Sequence, residues 1–386
     1  MKNMFSNHKI YYLGFYDKPE KQVRRDSVLA SANKMSYIAK AVHRTGRQVE
    51  IVSICGAEQF EHSSYQEIYE GVFLRLFTSF GRGPLVKRVL SRWFLQLKWF
   101  LYILFHVGRD DTVLVYHSLG YMKRIYWLKR IKRFRLILEI EEIYSDVIGK
   151  VSMRRKELRF FNCADAYLFP TELLNESVNT SGKPAVIIYG TYQVEEKRND
   201  CGFADDPRHE LKHFVYAGTF DPRKGGMAAA AAAKFMSGDC HVHILGFGSD
   251  SDREKLENVV AEVNRSSGGR VSMDGLLNGD DYIHFLQSCD AGFSTQQTDA
   301  AFNNTSFPSK VLSYLANGLR VVSVRIPSLE RSTVNSLLYY YDGNSPEAIA
   351  RAVAGIDWKK PYDSREVIQE LDHQFVKGIG KLLDSL

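Results

Sequence analysis

Cysteine is scarce and scattered. The five residues, Cys55, Cys163, Cys201, Cys240 and Cys289, are odd in number and form no Cys-x-x-Cys pair. That pattern excludes a zinc ribbon and a disulfide framework, and it fits reduced thiols in a cytoplasmic setting. Long apolar runs are lacking too: the longest without a strong polar break covers residues 99–105. A bilayer crossing needs roughly 20 apolar residues. The first nine residues hold no apolar core, so no secretory signal peptide is expected. Acidic residues are missing where basic ones crowd. Between Arg75 and Arg135 fourteen Lys and Arg stand against two acids, Asp110 and Asp111. A surplus of twelve in a chain of net charge +6 is a local feature that needs an acidic partner or surface. No nucleic-acid-binding motif accompanies it, and no nucleic-acid partner is expected.

What is present reads as an α/β protein. With 386 residues, 45% hydrophobic and 25% charged, the chain has a globular composition and room for two or three domains. Strands are predicted at 9–13, 48–54, 72–76, 112–116, 136–140, 166–169 and 185–189. Helices fall between them: one starting near Asp26 or Ser27 and running to about Arg44, then 84–107, 121–133 and 151–163. Strand, helix, strand at this spacing implies a parallel sheet with right-handed crossovers. Residues 193–211 are polar and aperiodic, as in a linker. A second series follows, with strands at 212–217, 241–245, 270–273, 291–294, 320–324 and 337–341. Its helices are predicted at 226–237, 252–264, 280–288, 309–317, 345–356 and 364–383. The expected organisation is therefore a first domain over 1–192, a linker, and a second domain over 212–360. A terminal helical segment, 361–386, is expected to pack back on the first domain. The ligand site belongs in the cleft between the carboxyl ends of the two sets of strands.

The stretch 307–323 is the most suggestive. A polar run, 299–306, leads into Pro308, which suits the first turn of a helix. The helix carries Val311, Leu312, Tyr314 and Leu315 inward and stops at Asn317 and Gly318. Free backbone N–H groups, a helix N-terminus and the adjacent Lys310 suit an anion such as a diphosphate. Earlier, a strand ending at Ala217 is followed by Arg223, Lys224, Gly225 and Gly226, a second place for a phosphate. Gly246 and Gly248 close the next strand in the same style. Each motif alone is common punctuation; their order and intervals make chance a poor explanation.

Gly218, Phe220, Pro222, Lys224 and Gly225, then Gly246 and Gly248, then 290–294, then Pro308, Ser309, Lys310, Leu312, Tyr314, Leu315, Ala316, Gly318, Val321 and Val322 resemble one known pattern. It is the donor half of the family-four glycosyltransferases, retaining enzymes of the GT-B architecture. That architecture has two Rossmann-like, doubly wound domains facing each other across a cleft. The resemblance covers most of 213–324; the N-terminal half agrees in organisation more than in motif. It implies transfer of a sugar, with retention, from a nucleotide-diphosphate sugar (UDP-sugar favoured) to a glycan acceptor. A lipid-linked acceptor in cell-surface polysaccharide synthesis is expected, with no bound cofactor and no metal requirement.

By the same resemblance Lys224 contacts the donor diphosphate, helped by Arg223. The backbone at Thr305, Ser306 and Ser309 with Lys310 holds diphosphate and sugar. Gly246 and Gly248 lie near the nucleotide, and Gly14, Gly218, Thr219 and Ser313 join the donor site. Two departures stand out. The first-loop glycine is usually followed by arginine, here Thr219. The family's two glutamates, eight positions apart, are replaced by Thr305 and Ser313, which removes the usual ribose clamp.

In the first domain His117 follows the strand 112–116, where the family has a histidine touching the transferred sugar. Read without that likeness, it is a loop-end histidine satisfied by backbone. Glu139, Glu141 and Glu142 sit at and beyond a strand's carboxyl end. Alternation puts the first two on one side, and they are candidates for an acceptor hydroxyl or a solvated strand end. A front-face retaining transfer needs no dedicated base, because the leaving diphosphate takes the proton. A neat pair of catalytic carboxylates is indeed lacking.

On a helical wheel of 84–107, at about 100° per residue, Lys87, Arg88, Arg92 and Lys98 fall within an arc of about 140°. Val86, Val89, Leu90, Trp93, Leu97, Phe100 and Leu104 cluster in another arc, expected to face the core. The wider basic block, 75–135, is expected to lie on an anionic membrane surface, making the protein peripheral at the inner face of the plasma membrane. Two other readings remain: a non-catalytic nucleotide-sugar or glycan-binding scaffold derived from the fold, and a two-Rossmann nucleotide-sugar epimerase.

Overall fold

Nearly continuous apolar strands, buried on both faces, are the mark of parallel sheets covered by helices, and two such sheets organise this protein. A computed structural model describes residues 9–18, 25, 29–199, 202–203, 210–267, 270–298, 303 and 305–386. The expected helix start at Asp26 or Ser27, and parts of 193–211 and 299–306, lie outside the described residues. Backbone contacts divide the chain into two compact units. One is Met1–Thr191 with His373–Leu386, and the other is Tyr192–Asp372.

The first unit runs β1 (Ile10–Gly14), α1 (Leu29–His43), β2 (Val49–Ser53), β3 (Phe60–Glu61), β4 (Ser64–Tyr69), β5 (Val72–Leu76) and β6 (Ser79–Phe80). It continues with α2 (Leu85–His106), β7 (Thr112–Tyr116), α3 (Met122–Lys132), β8 (Arg135–Glu139), α4 (Tyr144–Val147) and α5 (Val151–Phe161). It closes with β9 (Ala166–Phe169), α6 (Glu172–Val178) and β10 (Ala185–Ile187). The eight-stranded sheet has the order β10-β9-β8-β7-β1-β2-β5-β4, and β3 pairs with β6 apart from it. All its pairings are parallel except β4 against β5. That hairpin was not anticipated, because β4 is an edge strand with no buried residue, held by its ladder to β5 rather than by a buried face.

Helix α2 differs from expectation in orientation. Leu95, Trp99 and Ile103 are its buried residues, whereas Val86, Leu90 and Trp93 are 70%, 61% and 60% exposed. Only the C-terminal half of α2 packs on the sheet, where Trp99 and Ile103 join the core with Val113, Val115 and Leu136. Its first turns run past that contact, so the apolar stripe read from the wheel faces outward at 86, 89, 90, 93 and 97.

The second unit begins with β11 (Lys212–Thr219), α7 (Gly226–Ala232), β12 (Cys240–Phe247), α8 (Asp250–Ser267), β13 (Val271–Gly275), α9 (Gly279–Ser288) and β14 (Ala291–Ser294). It continues with α10 (Ser309–Ala316), β15 (Arg320–Val324), α11 (Pro327–Glu330), β16 (Leu338–Tyr341), α12 (Pro346–Ala354) and α13 (Ser364–Asp384), whose later half belongs to the first unit. Its six-stranded sheet is parallel throughout, in the order β13-β12-β11-β14-β15-β16. Strands β11 and β12 stay paired two residues beyond the expected ends, through Gly218 with Gly246 and Thr219 with Phe247.

Candidate active site

In each sheet the connections change direction beside one central strand: between β1 and β7 in the first, and between β11 and β14 in the second. Beyond the carboxyl ends of strands at such a point, α/β sheets bind their ligands. The residues singled out from the sequence gather at these two edges.

In the second unit Lys310, in the first turn of α10, lies with its ammonium 3.5 Å from the centre of the Tyr216 ring. Burial, then repulsion from Lys224, pushes its pKa well below the usual lysine range. It has no carboxylate partner among the described residues. Gly218 makes room for it: a Cβ there would stand 2.5 Å from Lys310 Cε. Lys224 ends a short 3-10 turn, Pro222–Lys224, whose start is capped by Asp221 accepting from the Arg223 N–H at 2.9 Å. The exposed Arg223 guanidinium is paired with the same Asp221 at 2.6 Å, so part of its charge is already neutralised. Helix α10 starts at Ser309 with Pro308 as its N-cap rather than within its first turn, and no side chain caps it. Of its leading N–H groups, that of Val311 already donates to the Pro308 carbonyl at 3.0 Å, and the macrodipole favours an anion at this end of the helix.

The glycines answer first to the protein's own packing. Gly225 has φ of +87°, and a Cβ there would come 1.7 Å from the Thr295 carbonyl oxygen. Gly246 has φ of +142°, and a Cβ would come as near to the Gly218 carbonyl oxygen. Gly248 leaves space for Phe220. Thr219, where the family has arginine, accepts the Tyr216 hydroxyl at its carbonyl, 2.8 Å away. Thr305 and Ser306 are half-buried in the loop before α10, and Ser309 is exposed. The Ser313 hydroxyl lies 3.3 Å from that of Tyr282, so a protein partner meets it where the family has a ribose-binding glutamate. Sequence reading gave no role to Tyr216, nor to Thr295 and Asn303, which brace this edge through Gly225 and Gln296. Nothing in a strand's period of two announces a ring beneath a lysine.

At the first sheet's edge Gly14 ends β1 under Met35 and Tyr116; a Cβ would stand 2.6 Å from Met35 Cε. It therefore serves the packing of α1. His117 follows β7 but is wholly buried, its Nε2 2.7 Å from Glu157 and its ring enclosed by Tyr144, Phe160 and Phe161. Burial lowers its pKa although Glu157 pulls the other way. Glu157 also accepts from the Tyr144 and Ser145 N–H groups at 2.9 Å, so His117 is joined to the chain that closes over it. It is an interior residue, and its Nδ1 has no hydrogen-bond partner among the described residues.

Glu139 is likewise fully buried, accepting a hydrogen bond from the Tyr12 hydroxyl. Burial first, and then Glu141, pushes its pKa up to about 8. Glu141 pairs with Lys34 at 2.5 Å, and Lys34 also donates to the Ile188 carbonyl. Glu141 and Glu142 are half-buried and so retain surface for an acceptor hydroxyl, which Glu139 does not. No helix among the described residues is long and apolar enough to cross a membrane.

No protein-family model and no curated protein matches the sequence. Solved structures do. Sucrose-phosphate synthase of Thermosynechococcus elongatus matches with a TM-score of 0.70 at 15% identity, over 98% of each chain. The trehalose 6-phosphate synthase of Burkholderia multivorans matches at 0.66 and 11%, over 97% of this chain and 94% of that one. Anabaena HepE, solved with UDP and glucose, matches at 0.66 and 14%, over 98% of this chain and all of that one. Over nearly its whole length, this chain has the two-domain α/β fold of these proteins, the GT-B type.

Proposed function

We propose that the protein is a retaining glycosyltransferase that moves a sugar from a nucleotide-diphosphate sugar, UDP-sugar favoured, to a lipid-linked glycan acceptor in cell-surface polysaccharide synthesis. The observation that carries this reading is the pair Lys224 and Lys310 beside the uncapped start of α10, at the carboxyl edge of the second sheet. Two cations that repel each other, one of them half-buried and without a carboxylate among the described residues, are relieved by a diphosphate between them. In the reaction the bond from the anomeric carbon to the diphosphate oxygen breaks as the acceptor oxygen bonds to that carbon. The acceptor's proton passes to the departing diphosphate, and no metal is required. Solved relatives of the fold were obtained with UDP, or with UDP-2-fluoro glucose, which favours the uridine donor.

The reading includes contact with an anionic membrane at the cytoplasmic face. Several cations of the basic block are committed internally: Arg75 to Glu50, Arg82 to Glu58 and Lys129 to Asp165. Lys87, Lys98, Lys123 and Arg130 remain exposed for that contact. A thermal-shift screen against UDP-, GDP- and ADP-sugars tests the donor. A UDP-sugar at 100 times its Kd should add about 2.7 kcal/mol to the folded state. Lys224→Ala should weaken that binding by about 1.5–3 kcal/mol. Transfer by the wild type that survives Lys224→Ala undiminished would sink the assignment. Absence of any nucleotide-sugar binding would favour a non-catalytic scaffold.

A further inference from the structure

At the carboxyl edge of the second sheet one strand residue touches three separate segments. Tyr216 lies near the end of β11 and is wholly buried. Its ring face meets the start of α10, where the Lys310 ammonium stands 3.5 Å from the ring centre. Its hydroxyl donates to the Thr219 carbonyl at 2.8 Å and accepts from the Gly226 N–H. Thr219 ends β11 and Gly226 begins α7, so the hydroxyl ties both ends of the loop 220–225 that carries Lys224. Two glycines make this geometry possible. A Cβ at Gly218 would stand 2.7 Å from Lys310 Nζ, and one at Gly226 would stand 3.0 Å from Tyr216 Cε1.

A ring beneath this lysine does what a carboxylate could not. A carboxylate would occupy the ammonium's N–H groups and would have to be displaced by an incoming anion. The face of an aromatic ring attracts a cation through its quadrupole and leaves those N–H groups to other acceptors. The ammonium is therefore held in place and keeps its donors for a ligand. No carboxylate partners Lys310 among the described residues, and that of Asp221 is engaged by Arg223. Lys224 is close enough to repel Lys310. One side chain thus sets both cations, Lys310 through the ring and Lys224 through the loop that the hydroxyl ties.

We propose that Tyr216 is a positioning residue of the donor site. Its ring face holds Lys310 and its hydroxyl holds the Lys224 loop, so that the two ammonium groups serve one diphosphate. The inference rests on the glycosyltransferase reading of this edge and adds the side chain that arranges its cations. The two contacts come from different parts of that side chain, and each can be removed without the other.

Tyr216→Phe removes the hydroxyl and keeps the ring. Pentafluorophenylalanine in place of Tyr216 keeps the shape of that phenylalanine but reverses the charge of the ring face. Isotope-edited NMR of the lysine side chains in the full chain reads the Lys310 titration directly, its signal being the one lost in Lys310→Met. Tyr216→Phe should titrate as the wild type does, whereas the fluorinated ring should release the Lys310 proton about one pH unit lower. Calorimetry with UDP as the probe should show binding roughly 2- to 10-fold weaker in Tyr216→Phe, a loss that disappears when Lys224→Ala is already present. The fluorinated ring should weaken UDP by roughly a further 2- to 30-fold, with the decline setting in at lower pH than in Tyr216→Phe. A ring that only fills space would change neither the titration nor this pH profile, and equal melting temperatures verify that both variants fold alike. Identical Lys310 titration in the two aromatic variants overturns the inference, as does UDP affinity that is the same in both at every pH. A wild type that binds no UDP removes the glycosyltransferase reading instead, and the Lys310 titration then decides by itself whether the ring holds the cation.

Discussion

Lys310 and Glu139 lie at the carboxyl edges of different sheets, and burial acts on them in opposite directions. Lys310 is driven toward its neutral form by burial and by Lys224. A diphosphate beside it reverses that preference, so UDP binding should be accompanied by proton uptake. Calorimetry in buffers of different ionisation heat reads the uptake, and Lys310→Met should abolish it; buffer-independent heats for the wild type would contradict the assignment. Glu139 is held protonated up to about pH 8 by burial and by Glu141, whereas an unfolded glutamate ionises near 4.3. The unfolded chain therefore binds fewer protons in that window, and stability falls as pH rises through it, then levels off. Glu139→Gln should flatten this decline, seen as a melting temperature that changes less between pH 5 and pH 8.

Glu50 behaves oppositely. Burial alone would raise its pKa, but hydrogen bonds from Lys9, Tyr102 and Arg75 hold it below the usual range. Its contribution is complete above the unfolded value and is lost as pH falls through the folded one. Glu50→Gln should cost about 3 kcal/mol at neutral pH by urea unfolding. None of these three behaviours was legible in the sequence. Lys310 could be read as a cation by a helix start, but neither the Tyr216 ring beneath it nor the burial of Glu139 follows from local spacing.

At the scale of elements, the parallel strands were the most legible, because both their faces are buried and a run of apolar residues reports that directly. Strands β5, β7, β9, β14 and β15 begin and end where expected. The hairpin strand β4 was missed because none of its residues is buried and its stability lies in the ladder to β5. Helix α2 shows a different limit. Periodicity groups the side chains that share a face, but it does not say which face meets the sheet. Trp99→Ala should therefore cost about 3–5 kcal/mol. Trp93→Ser, on the expected core face, should stay within about 0.5 kcal/mol. Comparison of urea midpoints decides, and equal losses would return the apolar stripe to the core.

For the whole molecule, the last helix ties the end of the chain to its beginning. Phe375 stacks on Tyr37 at 5.6 Å between ring centres, and Ile379, Leu382 and Leu383 are buried. Arg47 pairs with Asp384, and Gly378 and Gly380 let α13 approach Val186 and Thr45. Removing residues 373–386 should lower hydrogen-exchange protection in β1 and β2 more than in β11 and β12. Equal loss in both units would show that the helix acts otherwise. The sequence by itself determined the two parallel α/β domains and the order of the donor-side loops, because strand burial and turn chemistry are local properties. Tertiary structure decided the rest. It withdrew His117 and Glu139 into the interior, tied Arg223 to Asp221, and turned the apolar stripe of α2 outward. Each of these depends on which distant residues close over a side chain, and no local pattern encodes that. The Phe307 to Ser323 segment shows both sides: its loop, helix and strand were legible, while the stacking of Lys310 on Tyr216 was a product of the fold.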